Sequence, residues 1–201
     1  MGGGSMQLLF SQKGQRQNEN TKVNPKITFF KAVIQRYQNF ALEPIQLSFS
    51  YVHLHRTRDS LISCSIPKYA PLVQNVTFQI QIPILKQTLT VGSDAFECKW
   101  RSNIGFHLIK KAELCIGREV IEVITGEWMY LYSQLYASDE EHRAFQKLVQ
   151  PEQGIVYVPL SFWFSRNQKQ VLPIQNLTYD NVSIRVTLRA IDECYVIRKR
   201  N

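Results

Sequence analysis

"VSIRVTL", residues 182–188, decides the fold class of this chain. Val182, Ile184, Val186 and Leu188 alternate with Ser183, Arg185 and Thr187. Successive side chains of a strand point to opposite faces, so this segment carries one apolar face and one wet face. The same period-two pattern runs through residues 76–84, "VTFQIQIPI", where Val76, Phe78, Ile80, Ile82 and Ile84 alternate with Thr77, Gln79, Gln81 and Pro83. Half-buried antiparallel strands have this composition, and Pro83, which lacks an amide donor, places its strand at a sheet edge or near its own end. Working outward, residues 27–35, 45–54, 60–66, 95–100, 106–116, 119–124 and 155–164 also read as strands. Turn-forming clusters at 58–59, 67–71, 91–94, 151–154 and 166–169 punctuate them.

One region breaks the alternation. Trp128, Leu131, Tyr132 and Leu135 recur at helical spacing, which predicts a helix over 127–136 with that stripe buried. Ser138 and Glu141 form a capping box, and Ala144, Phe145, Leu148 and Val149 supply the buried stripe of a second helix. Many short strands with one helical excursion describe an all-β sandwich or barrel, with a jelly roll among the candidates. The 201 residues fit one domain, and the apolar fraction of 44% is ordinary for a globular chain.

The net charge of +8 is unevenly placed. Residues 1–36 hold six basic side chains (Lys13, Arg16, Lys22, Lys26, Lys31, Arg36) against Glu19. Residues 185–201 hold five (Arg185, Arg189, Arg198, Lys199, Arg200) against Asp192 and Glu193, and the body between is balanced. Basic ends suit phosphate or an acidic partner, or are simply solvated. The polar residues 1–23 read as an arm, and the opening "MGGGSM" as a flexible linker.

Catalytic signals are poor. No nucleophile elbow, dinucleotide fingerprint or phosphate loop occurs, and no cofactor is implied. His53 and His55 would share one face of a strand, but neither His107 nor His142 supplies a third metal ligand at a telling spacing. Asp139, Glu140 and Glu141 occupy a first helical turn, where the helix dipole favours carboxylates. Cys64, Cys98, Cys115 and Cys194 are widely spread and read as free thiols of the core. Asn75, Asn176 and Asn181 head glycosylation triplets that read as coincidental in a chain with no visible secretory signal. Trp100, Trp128 and Trp163 lie in patterned segments and read as core, and "SFWFSRNQK" lacks the second motif of an RNA-binding sheet.

Four motif segments, in order, resemble one family. Residues 24–41, "NPKITFFKAVIQRYQNFA", contain Asn24, Pro25, Phe29, Phe30, Asn39 and Phe40. Residues 66–83 form a turn and strand with Ala70-Pro71 where the family commonly has Gly-Asp. Residues 99–135 contain Trp100, Asn103, Gly105, Gly126, Glu127 and Trp128, with Glu122 where Asp is common. Residues 157–189 contain Pro159, Phe162, Trp163, Phe164, Arg166 and Asn167. Together they resemble the major capsid proteins of large nucleocytoplasmic DNA viruses, whose chains carry two jelly rolls in tandem. "MQLLF" is similar to the family's N-terminus.

The resemblance implies an all-β, eight-stranded antiparallel jelly-roll sandwich with a short helical insertion. It spans residues 24–194, between a basic arm at 1–23 and a basic tail or linker at 195–201. It implies a structural capsid protein and not an enzyme, with no catalytic, cofactor or metal residues, located in the virion and assembled in the host cytoplasm. Its partners would be two further copies in a trimeric, pseudo-hexagonal capsomer, or a complementary second jelly-roll chain. Neighbouring capsomers, minor capsid proteins and an internal membrane would follow, with no small-molecule substrate. Only the first half of the family's chain is matched, so a split-gene half, a shortened chain and a stand-alone minor or vertex protein stay open, as does a nucleic-acid-binding module using the basic termini. Residues 27–35 are largely apolar on both faces, Lys31 excepted, which suits a strand covered by its own core and by a neighbouring jelly roll.

Overall fold

A computed structural model describes residues 7, 41–49, 54–83, 85, 87–91, 94–137, 139–149, 154–166, 170–178 and 180–199. The expected arm at 1–23 apart from Gln7, the opening strand at 27–35 and its motif residues Asn24, Pro25, Phe29, Phe30, Asn39 and Phe40 lie outside the described residues. So do His53, Ser138 and Asn167.

Strand β10 (Val182–Leu188) alternates buried and half-buried along its whole length, as its sequence requires. It lies between β1 (Ser60–Ile66) and β6 (Ile109–Ile116), antiparallel to both, and β7 (Glu119–Thr125) completes a four-stranded sheet in the order β1-β10-β6-β7. Ile62, Leu114, Ile184 and Val186 line its inner face. The facing strands are β3 (Thr77–Gln81) and β8 (Ile155–Pro159), an antiparallel pair whose Phe78, Val156 and Val158 enter the same core. The chain thus passes from β1 to β3, back to β6 and β7, across to β8 and back to β10. This alternation between two sheets is the winding of a jelly roll, and the expected fold stands.

The polar side of β10 is charge-compensated. The Arg185 guanidinium donates to Cys115 Sγ at 3.0 Å and lies 3.9 Å from Glu113, which also pairs with Lys111 at 3.0 Å. Apart from the sandwich, β2 (Leu72–Val73) pairs with β9 (Leu172–Pro173), and β4 (Gln87–Val91) pairs with β5 (Asp94–Trp100).

Several expectations need correction. Residues 106–108 are not strand but the end of helix α1 (Ile104–Leu108), entered through Asn103 in the left-handed conformation at φ 54°. An apolar run this short has no period that separates a buried helix from a buried strand. The strand expected over 155–164 ends at Pro159, and Trp163–Ser165 forms a 3₁₀ turn. Residues 45–49 are irregular: Ile45 and Leu47 stay exposed, so their alternation marks no buried face, and Phe49 anchors the segment by packing edge-on against Phe78 at 5.2 Å. Residues expected in a C-terminal tail form β11 (Tyr195–Lys199), antiparallel to β5.

Helices α2 (Gly126–Leu135) and α3 (Asp139–Val149) fill the β7–β8 connection, as the spacing predicts. The face of α2 does not follow the prediction. Gly126, Met129 and Ser133 are buried, whereas Trp128, Leu131 and Leu135 are exposed. In α3, Val149 is buried and Phe145 half-buried, but Ala144 and Leu148 are exposed. The cause is the entry of α2: a Cβ on Gly126 would run into the carbonyl oxygens of Phe106 and Ile109. The helix start therefore presses directly on the α1 backbone, and the residues in phase with Gly126 follow it inward. Alanine is the better helix former by about 1 kcal/mol, so Gly126→Ala would stabilise a free helix. Here it should destabilise by at least about 1–3 kcal/mol, the usual cost of overpacking, measured as a lower denaturant midpoint at unchanged slope.

Candidate functional site

The motif residues fall into two clusters. The first joins α1, α2 and the end of β10. Thr125 caps α2, its hydroxyl accepting from Trp128 N at 3.1 Å. Glu127, in the first turn, forms an ion pair with Arg189, whose Nε donates to the His107 carbonyl at 2.9 Å. Gly105 of α1 faces β8 instead: a Cβ there would approach Val156 and Val158 at 2.8 Å. Trp100 is half-buried and its indole donates to the Pro83 carbonyl at 2.8 Å. Trp128 is exposed, against the core role expected for it.

The second cluster closes the sandwich after β8. Phe162 and Phe164 are fully buried and stacked at 5.8 Å, with Trp163 edge-on to Phe164. Glu122 holds this segment. Between Leu114 and Cys115 the β6–β7 register slips by one residue, leaving Ile121 as the extra residue of a bulge. The bulge leaves Glu122 on the inner side, in register with Leu114. One carboxylate oxygen accepts from Trp163 N at 2.8 Å and the other from Arg166 Nη2 at 2.7 Å, while Arg166 Nε donates to the Ser161 carbonyl at 2.9 Å. A strand over 119–124 was legible; the bulge that aims Glu122 was not.

These arrangements are architectural. Among the described residues no three His, Cys, Asp or Glu side chains could hold a metal ion. All four cysteines are free; Cys115 and Cys194 are buried, and burial, reinforced by the charge of Glu193, pushes the Cys194 thiol up to about 11. A thiol so placed stays protonated at neutral pH and is a poor nucleophile. No described helix is long and apolar enough to cross a membrane.

Two surfaces remain chemically distinctive. One is the outward face of α2, where Trp128 lies 6.1 Å from Tyr132 and Tyr132 stacks on Tyr136 at 5.0 Å. The other is a cavity of about 420 Å³ beside β5 and β11, lined by Lys99, Trp100, Arg101, His107 and Arg198 among others. The basic C-terminal residues were visible in the sequence. Their pairing with β5, which brings Arg198 into this cavity, had no local signal.

Removing the Glu122 carboxylate leaves the Trp163 amide and the Arg166 guanidinium without their acceptor. Glu122→Ala should cost about 1–3 kcal/mol, which lowers Tm by ~2–4 °C per kcal/mol in a chain of this size. Glu122→Gln keeps one carbonyl acceptor and should cost less than half as much. Thermal unfolding of the two variants beside wild type checks the order.

Comparison with known proteins agrees with this architecture. The sequence model of the family described as "Major capsid protein N-terminus" matches residues 28–201. The chain is 32% identical over 189 residues to "Probable capsid protein 4" of Acanthamoeba polyphaga mimivirus, covering 87% of this chain and 36% of that protein. It is 30% identical over 228 residues to the "Major capsid protein" of Phaeocystis pouchetii virus, covering 96% and 42%. The fold superposes on a chain of the PBCV-1 virus capsid quasi-atomic model with a TM-score of 0.60 at 24% identity, over 81% of this chain and 38% of that one. The chain spans less than half the length of these relatives. With the family's sequence model matched from residue 28 to residue 201, the chain belongs to the major capsid protein family of large DNA viruses and corresponds to its N-terminal part.

Proposed function

We propose that this chain is a structural component of a viral capsid, contributing one jelly roll to the shell and acting by assembly, with no turnover of substrate. The observation that carries this is the family match over residues 28–201. The described chemistry supports it: the charged motif residues Glu122, Glu127, Arg166 and Arg189 are spent on holding elements together. Trimeric capsomers, with further jelly rolls completing the pseudo-hexagon, are the assembly we infer from the family resemblance. Minor capsid proteins and an internal membrane at the base belong to the same reading, as does assembly in the host cytoplasm.

Purified virus particles should contain the chain in the copy number of a shell component, and shell density should accommodate the β1-β10-β6-β7 sheet. Absence from particles, with abundance only in infected-cell extract, overturns the proposal. The nucleic-acid alternative makes a different prediction. Phosphate-driven binding falls steeply with salt, so if the basic ends serve DNA, duplex affinity should be measurable at physiological ionic strength and drop on deletion of residues 1–23. We expect negligible binding by fluorescence anisotropy.

A further inference from the structure

Strands β5 and β11 pair from Tyr195↔Trp100 to Lys199↔Phe96, and directly opposed residues of an antiparallel pair share a face. Val196 stands opposite Lys99 and Arg198 opposite Glu97, so one face of the pair carries two cations, one carboxylate and one valine. Arg101 follows at the end of β5. With Trp100, Ser102 and His107 these residues line a cavity of about 420 Å³. Glu97 is paired with Lys99 at 3.0 Å. Arg101 and Arg198 are exposed, and neither has an ion pair among the described residues. Three cations against one carboxylate leave the cavity with a net charge of +2.

These groups sit on a fixed frame. The Arg101 amide donates to the Cys194 carbonyl at 3.0 Å, which holds the exit of β5 against the residue before β11. The Trp100 indole donates to the Pro83 carbonyl at 2.8 Å, so its N–H is used and its ring is left as apolar wall. His107 Nε2 lies 3.1 Å from the Glu193 carbonyl. A carbonyl only accepts, so that nitrogen carries the hydrogen, and the ring ties α1 to the 3₁₀ turn Ile191–Glu193. The donors left for a ligand are the two guanidinium groups, the exposed Ser102 hydroxyl and the Lys99 hydrogens that Glu97 does not take.

We propose that this cavity binds a small organic phosphate ester, its phosphate held by Arg101 and Arg198 and its organic part lying against Trp100 and Val196. The guanidinium fork matches phosphate oxygens two at a time. A phosphate monoester carries about −1.5 to −2 at neutral pH, which matches the excess charge of the cavity; a single carboxylate does not. The volume falls in the range of roughly 300–1,000 Å³ that small-molecule sites occupy, more room than inorganic phosphate fills. The apolar wall gives the remaining space a use. A soluble nucleotide and the headgroup of a phosphoinositide lipid share this chemistry. The site does not rest on the capsid reading, since it is complete within one chain.

Isothermal titration calorimetry on the 201-residue chain at physiological salt tests the site, with ATP, inorganic phosphate and vesicles of phosphatidylcholine with and without phosphatidylinositol bisphosphate as probes. ATP should bind saturably, one per chain, and inorganic phosphate more weakly. Arg101→Glu/Arg198→Glu should raise the Kd for ATP by about tenfold or more, the loss expected for charged hydrogen bonds. Arg101→Lys keeps the charge, loses the fork and should fall between; it decides the matter if the double variant does not fold. Deletion of residues 1–23 should leave binding unchanged. Binding of the phosphoinositide vesicles alone, sensitive to the same substitutions, keeps the site and assigns the lipid headgroup as its source. The proposal is overturned if no probe binds, if the arginine variants bind as wild type does, or if the deletion abolishes binding. It is also overturned if duplex DNA displaces ATP with an affinity that grows with duplex length, the behaviour of an extended nucleic-acid track.

Discussion

The structure depends on the seating of β10 between β1 and β6. Each flanking strand satisfies one row of its backbone groups, from Ser60↔Leu188 to Ile66↔Val182 on one side and from Ile116↔Val182 to Ile109↔Leu188 on the other. Both partners are distant in sequence, so the sheet closes only after β10 has been made and has threaded into place. Long-range pairings of this kind are slow to form, because loop closure is unfavourable before the contacts compensate it. Until then β1 and β6 each present an unpaired edge and an apolar face, a state open to wrong pairing between chains. Arg185 suits this position: on the outer face it ties β10 to Glu113 and Cys115 of β6, a polar contact that a slipped register would lose.

The helical excursion is joined to this sheet at few but stiff points. Gly126 brings α2 onto the α1 backbone, and the Glu127–Arg189 pair ties its first turn to the residue after β10. Glu122 ties β7 to the segment after β8. Each device holds a segment where the chain leaves one sheet for another, where no ladder hydrogen bonds are available to hold direction.

How much was legible follows from which forces are local. Alternation in 182–188 reports a face buried all along the strand, and that strand and the one expected at 60–66 both came out with those bounds. The two helices were legible from spacing and from the acidic turn at 139–141. The face of α2 was not: Trp128, Leu131 and Leu135 define a correct helical period, but the steric demand at Gly126 decides which side turns inward, and that demand is set by backbone of another element. Irregularity at 45–49 was hidden for a similar reason, since Ile45 and Leu47 alternate like a strand yet meet no core. Strand β11 was read as a tail because basic character dominates its local sequence, while its partner β5 is far away in the chain. Among the motif residues, the buried pair Phe162 and Phe164 was foreseeable from composition. The carboxylate that anchors their segment needed the bulge at Ile121, which no short window of sequence encodes.

The close approach at Gly126 has a consequence for recognition. A helix set directly on neighbouring backbone, capped by Thr125 and tied by Glu127, has little freedom to rock. Its outward aromatic rings are braced as well, with Tyr132 stacked on Tyr136 and near Trp128. Such a surface is preorganised. A partner meeting it need not immobilise a loop or freeze long flexible side chains, and that ordering entropy is one of the main losses that separates buried area from affinity. A small stripe on a rigid mount can therefore contribute more to association than its area alone suggests.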